Sequence, residues 1–247
     1  MSDSRELVFF HAPNTRSTGV AFLLEELGAP HRAHMLNMKA NEQREPAYLA
    51  INPMGKVPAI HHGDALVTEQ VAIFIYLADL FPAAGLAPGL TSTSRGPYLR
   101  WLAFYGSSFE PAMADRALKR EPGPLAMSPY GTYDSVIETL GEHLKTRPYL
   151  LGERISAADI LWGTALRWML GFGLVPNRPE FVTYMERICE RPAFVRVTER
   201  DRVTESAWVT ERDRVTESAG VTGSARVTES AGVAESEHAA AQDAATR

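Results

Sequence analysis

The pattern of apolar and polar positions changes character twice along the 247 residues. In the first third, short apolar runs are separated by one strongly helical stretch. Leu7–His11 (LVFFH) predicts a buried strand, and Ala12–Ser17 (APNTRS) predicts a turn. From Thr18 onward, Val20, Leu23, Leu24 and Leu27 fall at helical spacing, with Gly28 where a helix end tolerates left-handed backbone and Pro30 just beyond. Arg32–Met38 alternates imperfectly and predicts a second strand. Strand, helix and strand at this spacing imply a parallel pair with a right-handed crossover. A short helix is expected over Pro46–Ile51, a proline-interrupted strand over Val57–Ile60, a hairpin turn at Gly63-Asp64 and a returning strand over Ala65–Val67. Thr68 is placed to cap a helix that carries Val71, Ile75 and Leu77–Leu80 and stops at Pro82.

Gly85–Gly96 (GLAPGLTSTSRG) is the natural domain boundary. Beyond it the strand alternation disappears. Helices are expected over Tyr98–Phe109, Tyr133–Leu144, Ile160–Leu170 and Phe181–Glu190, the third preceded by Ser156-Ala-Ala-Asp159 as a capping box. This divides the folded part into an α/β domain over residues 5–84 and an all-helical domain over 92–196. The pattern then changes again: valine recurs at 197, 203, 209, 215, 221, 227 and 233, in units such as VTERDR and VTESAG. A period of six scatters the valines over three faces of a helix, so residues 197–247 are expected to be a disordered, low-complexity tail.

Composition narrows the classes. A formal charge of −5 argues against a nucleic-acid partner. The longest apolar runs are too short to span a membrane, and the N-terminus lacks the basic start and apolar core of a signal peptide. The single cysteine, Cys189, allows no intrachain disulfide and is consistent with a cytoplasmic location. His34, His61 and His62 have no metal-ligand spacing, so no metal is expected.

Three segments carry further information: Asn52-Pro-Met-Gly-Lys-Val-Pro-Ala-Ile60, Thr68-Glu-Gln70 and Ser156-Ala-Ala-Asp159. At their mutual spacing, within this order of elements, the chain resembles the cytosolic glutathione transferase superfamily in its bacterial-type members, over about residues 5–196. The resemblance implies a thioredoxin-like βαβ-ββα domain followed by a helical bundle, with glutathione as co-substrate and no other cofactor. It implies that Pro58 is cis and that Val57 offers its backbone groups to the cysteinyl part of glutathione; Pro58 alone reads equally well as a trans edge proline. Glu69 and Gln70 stand where the family has an acidic residue followed by Ser. There the helix N-terminus suits the γ-glutamyl carboxylate and Glu69 suits the ammonium group, although Glu69 also reads as a dipole-compensating residue. Lys56 is placed for the glycyl carboxylate, or is simply solvated.

The family activates the thiol just after the first strand. Matching Arg16-Ser17 to the family's helix start puts Ala12 or His11 near that position; Ala12 has no group for this and no cysteine is near, which leaves Thr15 and Asn14 as donors, then Ser17, which reads equally well as a helix cap. The implied activity is conjugation of the glutathione thiolate to a small hydrophobic electrophile, by a homodimer, with Phe104, Tyr105, Phe109 and Trp168 as pocket candidates or as plain core. The alternatives are glutathione-dependent peroxide or disulfide reduction and non-catalytic glutathione binding. Ser156 and Asp159 are structural in this reading, and Cys189 is a buried, inert thiol.

Overall fold

The structure is a computed structural model and describes residues 6–121 and 123–218. Four strands, β1 (Leu7–His11), β2 (Arg32–Met35), β3 (Ala59–His62) and β4 (Ala65–Val67), make one mixed sheet in the order β2-β1-β3-β4. β1 is parallel to β2, with Phe9 opposite Ala33, and antiparallel to β3, with Phe10 opposite Ala59. The parallel pair is joined by α1 (Ser17–Leu27), which ends on Gly28 at φ 59°. Alternate residues of β1 enter different cores. Phe9 packs with Val20, Leu23, Ile73 and Phe74, the last two from α3 (Gln70–Leu80). Phe10 packs on the other face with Leu36 and with Tyr48 of α2 (Pro46–Leu49).

Three local expectations differ from the structure. β2 stops at Met35 because Asn37 turns the chain, its side-chain oxygen accepting from the Lys39 and Ala40 amides. β3 begins at Ala59, after the Val57–Pro58 peptide. Thr68 does not cap α3: the residue before the helix is Glu69, at φ 65° and ψ 116°.

The helical part contains α4 (Arg95–Phe104), α5 (Glu110–Ala117), α6 (Tyr133–Leu144), α7 (Ala157–Gly171) and α8 (Pro179–Cys189). The single helix expected over 98–109 is α4 followed by a wide π-type turn at Tyr105–Phe109 that leads into α5. α7 is central. Asp159 is fully buried and accepts from the Ser156 amide and hydroxyl, the Leu150 amide and the Tyr184 hydroxyl, which is the structural role its position suggests. Gly163 lies against Ile188 so closely that a Cβ there would come within 2.5 Å of it.

The boundary of the tail is corrected. Pro192, expected to end a helix, occupies the first turn of α9 (Pro192–Ser218), which runs through the first repeat units. Phe194, Val197 and Asp201 lie at i, i+3 and i+7, hence on one face, and all three are buried. Counting valines misses this face, because its third member is an aspartate buried by hydrogen bonds. Arg191 and Arg196 add ion pairs to Glu26 and Glu25 of α1. The chain divides into units 1–206 and 207–247. The tail expectation for residues 219–247 falls outside the described residues.

Candidate functional site

The site is assembled where β1 ends. The last pair of β1 and β3 is Phe10 with Ala59, so residues 57–58 precede β3 at this same end of the sheet, and the Val57–Pro58 bond is cis. The loop 12–16 then enters α1. Gln70, at the start of α3, donates through Nε2 to the Arg16 carbonyl at 2.8 Å. Three of the expected segments, 14–17, 57–58 and 69–70, therefore meet at one end of the sheet. Lys56 lies beside them; its side chain is exposed, while its carbonyl accepts from Tyr48 and Asn52.

Glu69 is exposed and holds a backbone conformation that non-glycine residues rarely adopt. Its side chain caps nothing, so the first-turn amides of α3 are left for another acceptor. A carboxylate beside a free helix N-terminus can receive an ammonium group and a carboxylate together.

The loop segment is densely bonded. Thr15, part-exposed, has its hydroxyl 2.8 Å from the Ala12 carbonyl and 2.7 Å from Ser17 Oγ. Ser17 is fully buried, and its hydroxyl also lies 2.7 Å from His11 Nδ1. His11 Nε2 donates to Asp201 Oδ1 at 2.8 Å, and Thr18 and the Asn14 amide both donate to Asp201 Oδ2. Asn14 is exposed, at φ 53°, and its side-chain amide donates to Glu205. Burial alone would raise the Asp201 carboxyl, but the hydrogen bonds from His11, Thr18 and Asn14 outweigh it and hold the group below the ordinary carboxylate value.

A second network faces the helical part. Arg16 forms a two-pronged pair with Glu110, and the Tyr105 hydroxyl donates to Glu110 and lies 3.2 Å from Gln70 Oε1. Burial, then the Glu110 charge, pushes the Tyr105 phenol well up, so it stays a neutral donor. Tyr105 and Phe109 pack around Trp162 in the core rather than lining an open pocket. Cys189 is buried, and burial pushes its thiol up to about 12.

Two family descriptions match the chain: glutathione S-transferase, N-terminal domain, over residues 6–79, and glutathione S-transferase, C-terminal domain, over residues 125–192. The chain belongs to the glutathione S-transferase superfamily. It is 28% identical over 186 residues to Glutathione S-transferase GstA of Escherichia coli O157:H7, covering 74% of this chain and 92% of that protein. It is 27% identical over 198 residues to Disulfide-bond oxidoreductase YfcG of Escherichia coli strain K12, covering 74% and 90%. A solved sphingomonad glutathione S-transferase complexed with glutathione superimposes with a TM-score of 0.66 at 28% identity, over 78% of this chain and 98% of that one. No helix among the described residues is long and apolar enough to cross a membrane.

Asp201, Glu110 and Glu205 are the members of the site region that reading the sequence missed; His11 is placed by the sequence near the activating position but is given no partner there. His11 looks like the last residue of an apolar strand. Its partner stands in a repetitive segment 190 positions away, and no local signal joins the two.

Proposed function

We propose that this chain is a glutathione transferase that conjugates the glutathione thiolate to small hydrophobic electrophiles. The observation that carries the reading is the part-exposed Thr15 hydroxyl, held at the entrance to α1 by the Ala12 carbonyl and Ser17, with no cysteine in the segment. A hydroxyl donor there stabilises a thiolate without forming a covalent bond to it. Lowering a thiol of pKa near 8.5 by about 2 units stabilises the thiolate by roughly 2.7 kcal/mol. Glu69 and the first turn of α3 take the γ-glutamyl end of the tripeptide, and Val57 takes its cysteinyl amide in strand-like pairing. Glutathione supplies the nucleophile, so the reading calls for no metal or further cofactor. The unit of activity in this reading is a homodimer.

Disulfide reduction is the second reading, and the 27% identity to a disulfide-bond oxidoreductase supports it. With no cysteine at the site, the sulfur would again be glutathione's own. Retention on immobilised glutathione, followed by parallel assays with an aryl chloride electrophile and with a glutathione-containing mixed disulfide, separates the readings. Conjugation without reduction is expected; reduction without conjugation would replace the first reading with the second. Light scattering giving a monomer mass at micromolar concentration would remove the dimer.

A further inference from the structure

Two helix N-termini meet at the site, and a side chain of one is bonded to the backbone of the other. Gln70, the first residue of α3, donates through Nε2 to the Arg16 carbonyl at 2.8 Å. Arg16 is the residue that leads into α1. The amide can stand only this way round, because a carbonyl oxygen accepts and never donates. Gln70 Oε1 then faces the Tyr105 hydroxyl at 3.2 Å. The phenol hydrogen goes mainly to Glu110, the shorter contact, so the bond that ties the two helices together is the one from Gln70 to Arg16. Glu110 in turn holds the Arg16 guanidinium, so Arg16 is gripped at both its carbonyl and its side chain.

The fit around Gln70 is close. A Cβ on Gly19 would stand 3.1 Å from Gln70 Nε2 and 3.1 Å from Thr164 Oγ1, so the glycine leaves the amide its place against α1. The Arg16 carbonyl also accepts from the Gly19 amide at 3.2 Å, so Gln70 and the first turn of α1 share one acceptor. The partners of this bridge are the chain neighbours of two residues that the transferase reading uses. Arg16 follows Thr15, and Gln70 follows Glu69. Consecutive Cα atoms are held about 3.8 Å apart by the peptide bond, so tying Gln70 to Arg16 also ties the backbone of Glu69 to that of Thr15. Such spacing matters to chemistry, since a misplacement of about 1 Å can cost about a hundredfold in rate.

We propose that Gln70 is a positioning residue for the transferase reaction: by bonding the Arg16 carbonyl it fixes the spacing between the γ-glutamyl receiver at Glu69 and the thiolate donor at Thr15, so that a tripeptide anchored at one presents its sulfur to the other. The inference rests on the transferase reading of Thr15 and Glu69. Gln70 suits the role because its side chain is directed to the protein at both ends, Nε2 to Arg16 and Oε1 to Tyr105. The rival is a direct contact, through the second hydrogen of Nε2, with the γ-glutamyl carboxylate. The two roles differ in what is lost with the amide. A direct contact is worth affinity for the peptide, whereas the bridge is worth alignment of the sulfur once the peptide is bound.

The experiment compares the full wild-type chain with Gln70→Met, which keeps the length of the side chain and removes its hydrogen bonds. Calorimetry with S-methylglutathione, which has no thiol to ionise, reads the anchoring of the peptide alone. Ultraviolet titration of bound glutathione reads the thiol, and steady-state rates with an aryl chloride electrophile read the reaction. Gln70→Met is expected to leave the affinity for S-methylglutathione within about twofold, raise the midpoint of the bound thiol by about one pH unit and lower kcat about fivefold near the wild-type midpoint. A thiol midpoint that does not move overturns the proposal. Weakened binding of S-methylglutathione overturns it as well, because it marks Gln70 as a direct ligand or as a merely structural residue. If circular dichroism shows Gln70→Met unfolded, Gln70→Ala carries the same expectations and the same overturning results. A wild type that binds glutathione and lowers its thiol midpoint, with Gln70→Met doing the same, overturns the bridge alone. A wild type that binds no glutathione, or leaves its thiol at the free value, overturns the bridge together with the transferase reading.

Discussion

His11 Nε2 lies 2.8 Å from Asp201 Oδ1, so the last residue of the first strand is bonded to the first hexapeptide unit of the C-terminal segment. The packed part of the chain therefore extends past the point where the repeat begins. Ending the chain after Val197 removes Asp201 and the partner of Asn14, and is expected to lower both the melting temperature and the turnover at least severalfold. Ending it after Ser206 keeps every contact described within the first unit and should leave both unchanged. Thermal unfolding and rate measurements on the two truncations check this, and equal behaviour of the two would show that α9 contributes nothing to the site.

Ser17 and Thr15 are predicted to separate stability from activity. Ser17→Ala leaves His11 Nδ1 and the Ala12 amide without a buried partner and should cost about 1–3 kcal/mol of folding free energy. Thr15→Ala removes a part-exposed hydroxyl, with little expected loss of stability but a clear loss of turnover and nearly unchanged glutathione affinity. Denaturant titration and steady-state kinetics on both variants decide the matter; a Thr15→Ala enzyme at full speed would point to backbone amides or Asn14 as the donor.

Glu69 couples strain to binding. A non-glycine residue at φ 65° and ψ 116° costs about 1–3 kcal/mol. Glu69→Gly should relieve part of this and raise the melting temperature, while weakening glutathione binding by about 1–3 kcal/mol through loss of the carboxylate. Glu69→Ala should weaken binding to a similar degree without the gain. Calorimetry on the pair tests both halves, and unchanged affinity would remove Glu69 from the site.

The bonded state of Asp201 has a pH signature. Its carboxyl is held below the ordinary value in the folded chain, so the stabilisation it confers is present above about pH 4 and is lost as pH falls through the folded value. The stability difference between wild type and Asp201→Asn should be largest near neutrality and shrink as the pH drops below about 4. A difference that stays constant down to the acid limit would mean that the Asp201 charge adds nothing to folding.

Where structure is decided by near neighbours, the sequence was readable. The apolar run of β1, the helical spacing of α1 with Gly28 at its end, the hairpin at Gly63-Asp64 and the Asp159 cap each follow from residues within one or two turns of each other. The spacing of the Val57-Pro58 and Glu69-Gln70 segments pointed to the family, although neither the positive φ of Glu69 nor the wide turn at Tyr105 has a local signature. The His11–Asp201 bond was out of reach for a different reason. Hydrophobic periodicity registers what is buried by apolar contact, whereas Asp201 is buried by hydrogen bonds to residues at the other end of the chain.

Cys189, the chain's single cysteine, sits on α8 with its thiol pushed up to about 12 by burial. At neutral pH it holds almost no thiolate, the form that attacks disulfides and is attacked by oxidants. Placed in a pool of reduced and oxidised glutathione, such a thiol would form no mixed disulfide and keep no record of the balance between them. On the transferase reading, oxidation would then reach the activity through the supply of glutathione and not through a cysteine of the chain.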